Sequence, residues 1–388
     1  MDSRATPTVR PLHLCDITML YAAHSGGVRR YIEAKHEWLS RHTGVRHTVI
    51  APGGRESALA PYHRVLPALP LPGSGGFRFP LCTGPWCALL AALLPDVIEA
   101  GDPYRLGWAA LEAGQQLGVP TAGFYHSDLP SLVGARLGHA AARAAERYVA
   151  RLYSRFDLVL APSRAVQSKL QALGVPRVRV QPLGVDAQRF HPLRRSRRLR
   201  RELALAPGAR LLAFAGRNAR EKHLDHLLEA FRRLGPRYHL LLVGPRMQAP
   251  AQGNASVVSR YVGSLELASL LASCDALVHA GDAETFGLIV LEAMASGIPA
   301  VGVDAGAVPE LITPATGTLA RSSAPAHLAE AIEALFAQDV RAMGRAARQS
   351  VEAKWTWDRC FRGLLAGYEA LLGCRDVGAI EGLARAVG

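Results

Sequence analysis

The sequence contains no apolar run that approaches the ~20 residues an α-helix needs to cross a bilayer. Residues 87–94 form the longest candidate, and Pro95 and Asp96 end it. The first residues, Met-Asp-Ser-Arg-Ala-Thr, also lack the basic-then-apolar pattern of a secretory signal. These absences argue against a transmembrane helix and a secretory leader, and they predict a chain that is made and kept in the cytoplasm.

Cysteine is scarce and irregularly spaced. The six cysteines stand at positions 15, 82, 87, 274, 360 and 374, with no Cys-x-x-Cys pair and no matching Cys/His spacing. This pattern excludes the common zinc sites and predicts reduced thiols. Asp-x-Asp, a pair that can hold a divalent metal against a diphosphate, is also absent. We therefore expect no metal and no other cofactor, so side chains and helix ends would have to neutralise a bound phosphate.

Lysine is rare although the chain is strongly basic. Of 45 lysines and arginines only Lys35, Lys169, Lys222 and Lys354 are lysines, and the formal net charge is +13. A basic surface attracts phosphates, nucleic acid or anionic lipid. No RNP-type aromatic strand, zinc finger or basic zipper is present, so nucleic acid is not an expected partner. Nucleotide phosphates and a membrane surface are the favoured partners.

Strand-like and helical stretches alternate twice along the chain, which at 388 residues is long enough for two domains. Such alternation predicts α/β domains with parallel sheets and ligands beyond the carboxyl ends of the strands. Segment 182–192 separates the two series and is the predicted hinge. The predicted strands are 12–19, 47–51, 97–100, 121–125 and 158–161 in the first series, and 211–215, 240–243, 276–278 and 300–303 in the second.

The most informative segment contains Glu284 and Glu292, which lie eight positions apart. Its pattern predicts a helix that begins near Phe286, with Gly297 as its C-cap and Pro299 as its stop. If the whole interval were helical, the carboxylates would be separated by about 12 Å along the axis. That is too far for an acid and a nucleophile, which a retaining glycosidase holds at roughly 5 Å. The spacing instead favours two acceptors for distant hydroxyls of one extended ligand.

Between the two glutamates, the chain enters the predicted helix at Thr285, Phe286, Gly287 and Leu288. Backbone N–H groups and the helix dipole favour a phosphate at such an N-terminus. A sugar, a diphosphate and a ribose would fit this layout. From the spacing alone, an amphipathic helix with two solvated glutamates is the alternative.

The pair Glu284 and Glu292 resembles the E-x7-E signature of retaining GT-B glycosyltransferases of family four, also called glycosyltransferase group 1. Other motifs resemble this family in the same order: Leu183-Gly184-Val185-Asp186, Gly216-Arg217 with Glu221-Lys222, Leu241-Leu242-Val243-Gly244, and Val308-Pro309-Glu310. The resemblance implies two Rossmann-like, doubly wound parallel-sheet domains that face a central cleft. It assigns residues 1–185 to an acceptor-binding domain and residues 186–356 to a nucleotide-sugar-binding domain, with the C-terminal segment 357–388 packed back on the first domain.

The resemblance also implies how the second domain binds a nucleotide sugar. Glu284 would bind hydroxyls of the donor sugar, and Glu292 would bind the ribose. Arg217 and Lys222 would balance the charge of the departing diphosphate in place of a metal. The remaining donor-binding positions are Gly216 and Gly244, together with the backbone of Thr285, Phe286, Gly287 and Leu288.

Two segments of the first domain are expected at the same cleft. Gly26 and Gly27 stand between a strand and a helix, where backbone can approach a ligand closely. In the family this loop faces the donor phosphates and the acceptor, although here it lacks the Gly-x-Gly-x-x-Gly pattern. His126 follows the strand 121–125 and resembles a family histidine that contacts the transferred sugar. A turn and a structural histidine are the alternatives.

One segment departs from the common family pattern. His279-Ala280-Gly281-Asp282 has Ala280-Gly281 where most members have Pro-Ser. With the Gly-Gly-Val-Arg-Arg-Tyr run at 26–31, this resembles the subgroup of GDP-mannose-dependent mannosyltransferases and sulfoquinovosyl-diacylglycerol synthases. The departure leaves the identity of the sugar open.

Arginines recur every four residues at Arg143, Arg147, Arg151 and Arg155, and a second cluster occupies 194–201. Basic amphipathic helices can lie on anionic lipid, whereas a solvated helix face is the alternative. A peripheral contact with the inner face of the plasma membrane is therefore a hypothesis, with a lipid acceptor slightly favoured over a glycan.

Together these patterns predict a metal-independent, retaining hexosyltransferase that moves a mannose- or glucose-type sugar from a GDP- or UDP-linked donor to a lipid or glycan hydroxyl. In that mechanism the departing phosphate acts as the base, as is proposed for the family. Two alternatives stay open: a GT-B-like nucleotide-sugar epimerase, and a catalytically silent scaffold that binds sugar nucleotides.

Overall fold

The computed structural model describes residues 10–22, 26–54, 61–71, 76–248 and 253–373. The predicted C-terminal segment 357–388 is therefore described only as far as residue 373. The chain folds around two separate parallel sheets, each covered by helices on both faces.

The first sheet has seven parallel strands in the order β3-β2-β1-β6-β7-β8-β9. Strands β4 and β5 form a separate antiparallel pair. The strands are β1 (His13–Ile17), β2 (Arg46–Gly53), β3 (His63–Pro67), β4 (Leu69–Pro70), β5 (Arg78–Phe79), β6 (Val97–Ala100), β7 (Thr121–Phe124), β8 (Leu158–Ala161) and β9 (Val178–Val180). The helices are α1 (Gly27–His42), α2 (Gly84–Leu93), α3 (Arg105–Leu117), α4 (Leu129–Tyr153) and α5 (Arg164–Ala172).

The second sheet has six parallel strands in the order β12-β11-β10-β13-β14-β15. Its strands are β10 (Arg210–Ala215), β11 (Tyr238–Val243), β12 (Ala255–Val258), β13 (Ala276–Val278), β14 (Ala300–Val303) and β15 (Gly317–Ala320). The helices of this half are α6 (Arg198–Glu202), α7 (Leu224–Leu234), α8 (Ser264–Ser273), α9 (Leu288–Ala295), α10 (Val308–Leu311), α11 (Pro325–Phe336) and α12 (Val340–Lys354), and α13 (Trp357–Gly373) follows them. In both sheets the strand order reverses beside the first strand, which is where ligands bind in open α/β sheets.

The predicted pair of parallel-sheet domains is confirmed, with two corrections. The predicted strands omitted the short pair β4 and β5 and also the four edge strands of the two sheets, which are β3, β9, β12 and β15. The signature helix was predicted to begin near Phe286 but begins at Leu288. Gly287 before it has a φ of 96°, a left-handed conformation that cannot continue into the helix from Phe286. Thr285 and Phe286 therefore belong to a loop.

Helix α13 lies against the first domain although it follows the second in sequence. Phe361 on α13 stacks on Trp357 with ring centroids 5.2 Å apart and lies 5.8 Å from Tyr31 of α1. The indole N–H of Trp38 donates to Asp358 over 3.0 Å. The apolar cluster around these rings continues into α9, so the two domains share one hydrophobic core.

The longest helix of the described residues is α4, with 25 residues and a kink at Gly138, whose φ is 82°. Neither α4 nor any other helix in the described parts of the chain combines the length and apolar character required to cross a membrane.

A buried charge network joins α13 to the centre of the first sheet. The Lys35 ammonium donates to Asp16 over 2.7 Å and lies 3.2 Å from Glu99. It also donates to the Tyr368 hydroxyl over 3.0 Å, and that hydroxyl donates to Glu99. Burial raises the pKa of Glu99, and Lys35 offsets only part of that increase. The ammonium therefore neutralises two carboxylates that have lost their water.

We predict that Lys35→Met will strongly destabilise the protein, because it removes the ammonium that pairs with the buried carboxylates of Asp16 and Glu99 and leaves Asp16 only the His47 imidazole, 3.1 Å away. The expected loss in free energy of unfolding is about 3 to 5 kcal/mol, measured by urea titration. Lys354→Met is the matched control, since Lys354 is exposed at the end of α12. Equal unfolding midpoints for the two variants would contradict the network's role.

Candidate functional site

Two glycine turns form one side of the cleft, at the carboxyl ends of β10 and β11. Gly216 follows β10, and Gly244 follows β11 with a φ of 154°. A Cβ on Gly244 would lie 1.8 Å from the carbonyl oxygen of Gly216. The two turns can approach this closely only because position 244 is glycine, and the N–H groups of Gly216 and Gly244 donate to the carbonyl oxygens of Val243 and Val258.

Lys222, Glu284 and His279 meet at one point of the cleft. Lys222 ends a short 3-10 turn at Arg220–Lys222 and forms an ion pair with Glu284. The Nε2 atom of His279, a residue that is only 2% exposed, lies 3.1 Å from the same oxygen, Glu284 Oε1. Burial raises the pKa of Glu284, but the Lys222 charge and the His279 hydrogen bond outweigh it and lower the pKa overall. Glu284 is therefore ionised, and it cannot serve as a general acid at neutral pH.

Arg217 occupies a more open position than Lys222. Its side chain is 64% exposed, and its guanidinium lies 3.5 Å from Glu221. The structure thus brings Lys222 to Glu284 but leaves Arg217 extended at the rim, following the Gly216 turn.

The loop between Glu284 and α9 presents backbone to the cleft. Within the described parts of the chain, the N–H groups of Thr285, Phe286 and Gly287 have no hydrogen-bond acceptor. Phe286 is buried and packs edge-on to Trp355, so only its backbone faces a ligand. The Thr285 hydroxyl donates to the carbonyl oxygen of His126 over 3.2 Å, which joins the loop to the first domain. Three unpaired donors at a helix N-terminus are suited to an anion.

The glycine loop of the first domain faces the start of α9. A Cβ on Gly27 would lie 3.0 Å from the Leu288 side chain, whereas Gly26 has open space around it. The predicted positions Gly27 and Leu288 therefore meet across the cleft, and Gly26 adjoins them without a contact of its own. Because glycine has no side chain, the first turn of α1 can approach the second domain.

Glu292 lies one turn inside α9 and is 2% exposed. Its Oε1 atom accepts a hydrogen bond from Arg30 of α1, so this ion pair crosses from one domain to the other. Its Oε2 atom is buried and has no hydrogen-bond partner among the described residues. Burial raises the pKa of Glu292, and Arg30 offsets part of that increase. One carboxylate oxygen is thus held by Arg30, and the other is available to a ligand.

His126 lies at the carboxyl end of β7 with its ring between aromatic neighbours. The ring stacks on Phe124 with centroids 4.0 Å apart, and it lies 5.0 Å from the ring of Tyr31. Its Nε2 atom is buried with no hydrogen-bond partner in the described part of the chain. Burial lowers the pKa of His126 to about 3, so the imidazole is neutral at physiological pH. A neutral ring can donate to or accept from a sugar hydroxyl.

Two further residues of the site were not assigned a role from the sequence. Arg30 belongs to the Gly-Gly-Val-Arg-Arg-Tyr run, and its position on the first turn of α1 was the available indication. His279 belongs to the segment that departs from the family pattern. Asp128, by contrast, has a structural role: it caps α4 by accepting from Ser131 and pairs with Lys169 over 2.6 Å.

Comparisons with known proteins identify the family of the chain. A model of Glycosyltransferase Family 4 matches residues 25–189, and a model of Glycosyl transferases group 1 matches residues 195–350. A GDP-mannose-dependent alpha-mannosyltransferase of Mycobacterium tuberculosis is 36% identical over 74% of this chain and 75% of its own length. A GDP-mannose-dependent alpha-(1-6)-phosphatidylinositol dimannoside mannosyltransferase of the same species is 30% identical over 93% of this chain and 97% of its own length.

Solved structures of low sequence identity share the fold. Sucrose-phosphate synthase from Thermosynechococcus elongatus superposes with a TM-score of 0.78 at 19% identity, covering 94% of this chain and 100% of that chain. Anabaena HepE in complex with UDP and glucose superposes with a TM-score of 0.71 at 18% identity, covering 93% of this chain and 100% of that chain. The two parallel-sheet domains therefore form the GT-B architecture, and the chain belongs to the group 1 glycosyltransferases of family four.

Proposed function

We propose that this protein is a retaining hexosyltransferase that moves a mannose- or glucose-type sugar from a GDP- or UDP-linked donor to a hydroxyl of a lipid or glycan acceptor. The observation that carries the proposal is the arrangement of Glu284 and Glu292, each with a cation on Oε1 and neither with a hydrogen bond to Oε2 within the described residues. GDP-mannose is the first candidate donor, because the relatives at 36% and 30% identity are GDP-mannose-dependent.

The donor would lie along the loop and the first turns of α9. Glu292 Oε2 would accept from a ribose hydroxyl, which would satisfy a buried oxygen that otherwise has no partner. The N–H groups of Thr285, Phe286 and Gly287, with the turns at Gly216 and Gly244, would hold the diphosphate. Lys222 and Arg217 would supply positive charge to it without a metal.

The sugar would then occupy the space between Glu284 and His126. Glu284 Oε2 would accept from sugar hydroxyls, and the neutral His126 ring would bond a further hydroxyl. The acceptor oxygen would attack the anomeric carbon from the face that the diphosphate leaves. The bond from that carbon to the diphosphate would break, and the acceptor proton would pass to the departing phosphate oxygen. The positive charge of Lys222 and Arg217 would stabilise that phosphate as it departs.

This order of events suits the state of Glu284, which is ionised and paired with Lys222. A carboxylate held in this way is a poor nucleophile for double displacement. It is better suited to orient the sugar through Oε2, which supports same-face attack over a covalent intermediate.

Three contacts across the cleft favour a closed state in which the reacting groups are withdrawn from water. Arg30 pairs with Glu292, Thr285 donates to the His126 carbonyl, and the Glu310 carboxylate accepts from the backbone N–H of Ala165 over 2.8 Å. Exclusion of water would limit hydrolysis of the donor.

A lipid acceptor and a peripheral contact with the inner face of the plasma membrane are part of the proposal. Arg143, Arg147, Arg151 and Arg155 are all exposed. The guanidinium groups of Arg151 and Arg155 lie 6.0 and 5.3 Å from the ring centroid of Trp108. Each cation near an anionic bilayer contributes about 1 kcal/mol of attraction. A glycan acceptor is the alternative that product analysis distinguishes.

The proposal is tested by a thermal-shift panel of GDP- and UDP-sugars, followed by mass spectrometry of products formed with a membrane extract. We expect one donor to stabilise the protein and to yield a hexosylated product of unchanged anomeric configuration by NMR, at equal rates with and without EDTA. Release of nucleotide and an epimerised free sugar without an acceptor would indicate an epimerase instead. Binding without turnover would indicate a scaffold, and an inverted product or a strict metal requirement would refute the mechanism.

We predict that Lys222→Ala and Arg217→Ala will each reduce the rate of transfer, because each removes positive charge from the departing diphosphate. The expected loss in kcat is about 100-fold or more for Lys222→Ala and less for the exposed Arg217. Lys354→Ala and Arg232→Ala are the matched controls, since both residues lie on exposed helix faces of the same domain. A normal rate in the Lys222 variant would remove the basis of the diphosphate assignment.

We also predict that Arg30→Met will favour an open cleft, because it leaves Glu292 buried without a cation unless the domains separate. The radius of gyration from small-angle X-ray scattering should increase, and the affinity for GDP should fall roughly tenfold. Arg41→Met is the control, since Arg41 pairs with Glu37 within the same helix. An unchanged radius together with unchanged GDP affinity would contradict the closure argument.

A further inference from the structure

The segment that departs from the family pattern lies directly against Glu284. His279 follows β13, and its backbone N–H donates to Val301 of the neighbouring strand over 2.8 Å. This bond fixes the start of the segment in the sheet. Its imidazole is buried, and its Nε2 atom lies 3.1 Å from Glu284 Oε1. The ring nitrogen therefore donates to a carboxylate from a side chain that has almost no freedom to move.

Gly281 allows this arrangement to form. A Cβ at position 281 would lie 2.8 Å from Cε1 of the His279 ring, 3.1 Å from the carbonyl oxygen of Glu221 and 3.5 Å from Cδ of Lys222. Any larger residue would have to push the histidine or the 3-10 turn away. The small residue thus lets the His279 ring and the Lys222 turn reach the same carboxylate.

The two hydrogen-bond donors, Lys222 and His279, share one oxygen of Glu284. Lys222 and His279 both bond to Oε1, and in the described part of the chain no group bonds to Oε2. Lys222 must also serve the diphosphate, so its contact with Glu284 weakens when a donor binds. The His279 ring has no second hydrogen-bond partner among the described residues, so its bond to Oε1 need not change when Lys222 turns to the diphosphate.

From this geometry we infer that His279 is a positioning residue for sugar transfer: it holds Glu284 so that Oε2 faces the donor sugar while Lys222 turns to the diphosphate. The inference rests on the proposed function and adds a residue to it. His279 itself does not touch the substrate. Its effect should be confined to the sugar end of the site, since the nucleotide end is built from Glu292 and Arg30.

The test compares His279→Leu, which removes the hydrogen-bond donor to Glu284, with His279→Gln, whose amide N–H can reach a similar position. Transfer is measured with GDP-mannose, and GDP affinity is measured by calorimetry. We expect His279→Leu to lower kcat/KM by about 10- to 100-fold, the effect of losing a hydrogen bond to a charged group, with GDP affinity unchanged. His279→Gln should recover most of the loss.

His239→Leu is the matched control. His239 is another buried histidine of the same sheet, and it bonds to Ser256 over 2.9 Å, away from the cleft. A similar loss of transfer in this control, a weaker GDP affinity in His279→Leu, or a failure of glutamine to recover activity would overturn the inference.

The experiment separates this inference from the proposed function. If the wild-type protein transfers mannose and His279→Leu does so at the same rate, only the role of His279 is wrong. If the wild-type protein binds GDP-mannose but transfers no sugar to any acceptor in the extract, the proposed function fails first.

Discussion

A carboxylate that is withdrawn from water needs a cation beside it, and the site of this protein is organised by that requirement. Glu284 lies in the loop before α9 and Glu292 lies within α9, and both carboxylates are largely withdrawn from water. Lys222 supplies the cation for the first and Arg30 for the second. An unpaired buried charge would cost several kcal/mol, so neither cation can be removed without a change in structure or protonation.

The same requirement explains where the scarce lysines lie. Lys35 neutralises two carboxylates in the first sheet, Lys169 pairs with the helix cap Asp128, and Lys222 pairs with Glu284. Each is a compact charge at the end of a long stem, and the side chain is 1% exposed in Lys35, 18% in Lys222 and 31% in Lys169. Lys354, the fourth, is exposed at the end of α12. Three of the four lysines in this arginine-rich chain therefore pair with a carboxylate that shapes the structure.

The cation for Glu292 comes from the first domain, and this links binding to closure. In the structure Arg30 is paired with Glu292, and Oε2 is the remaining acceptor. If the cleft opens as we propose, this ion pair would break. A ribose that bonds to Oε2 would therefore favour the closed state, in which Thr285 also contacts His126. Donor recognition and water exclusion would then depend on one buried charge.

Sequence patterns predicted the interior of the fold better than its edges. The interior strands β13 and β14 are buried on both faces and read as continuous apolar runs, and their predicted bounds agree with the structure. The omitted edge strands β3, β9, β12 and β15 are only partly buried, so their sequences have a weaker apolar pattern. In the site, Glu284, Glu292 and Lys222 could be predicted because they belong to recognisable sequence motifs. Their partners Arg30 and His279 are brought to them by tertiary packing, which the spacing of residues in the sequence does not reveal.

The most direct test of the account is whether the two glutamates divide the donor between them. Calorimetric titrations of Glu284→Gln and Glu292→Gln with GDP and with GDP-mannose measure this division. The account predicts that Glu292→Gln weakens both ligands by a similar factor, whereas Glu284→Gln weakens GDP-mannose and does not weaken GDP. Loss of GDP affinity in Glu284→Gln, or unchanged GDP affinity in Glu292→Gln, would contradict it.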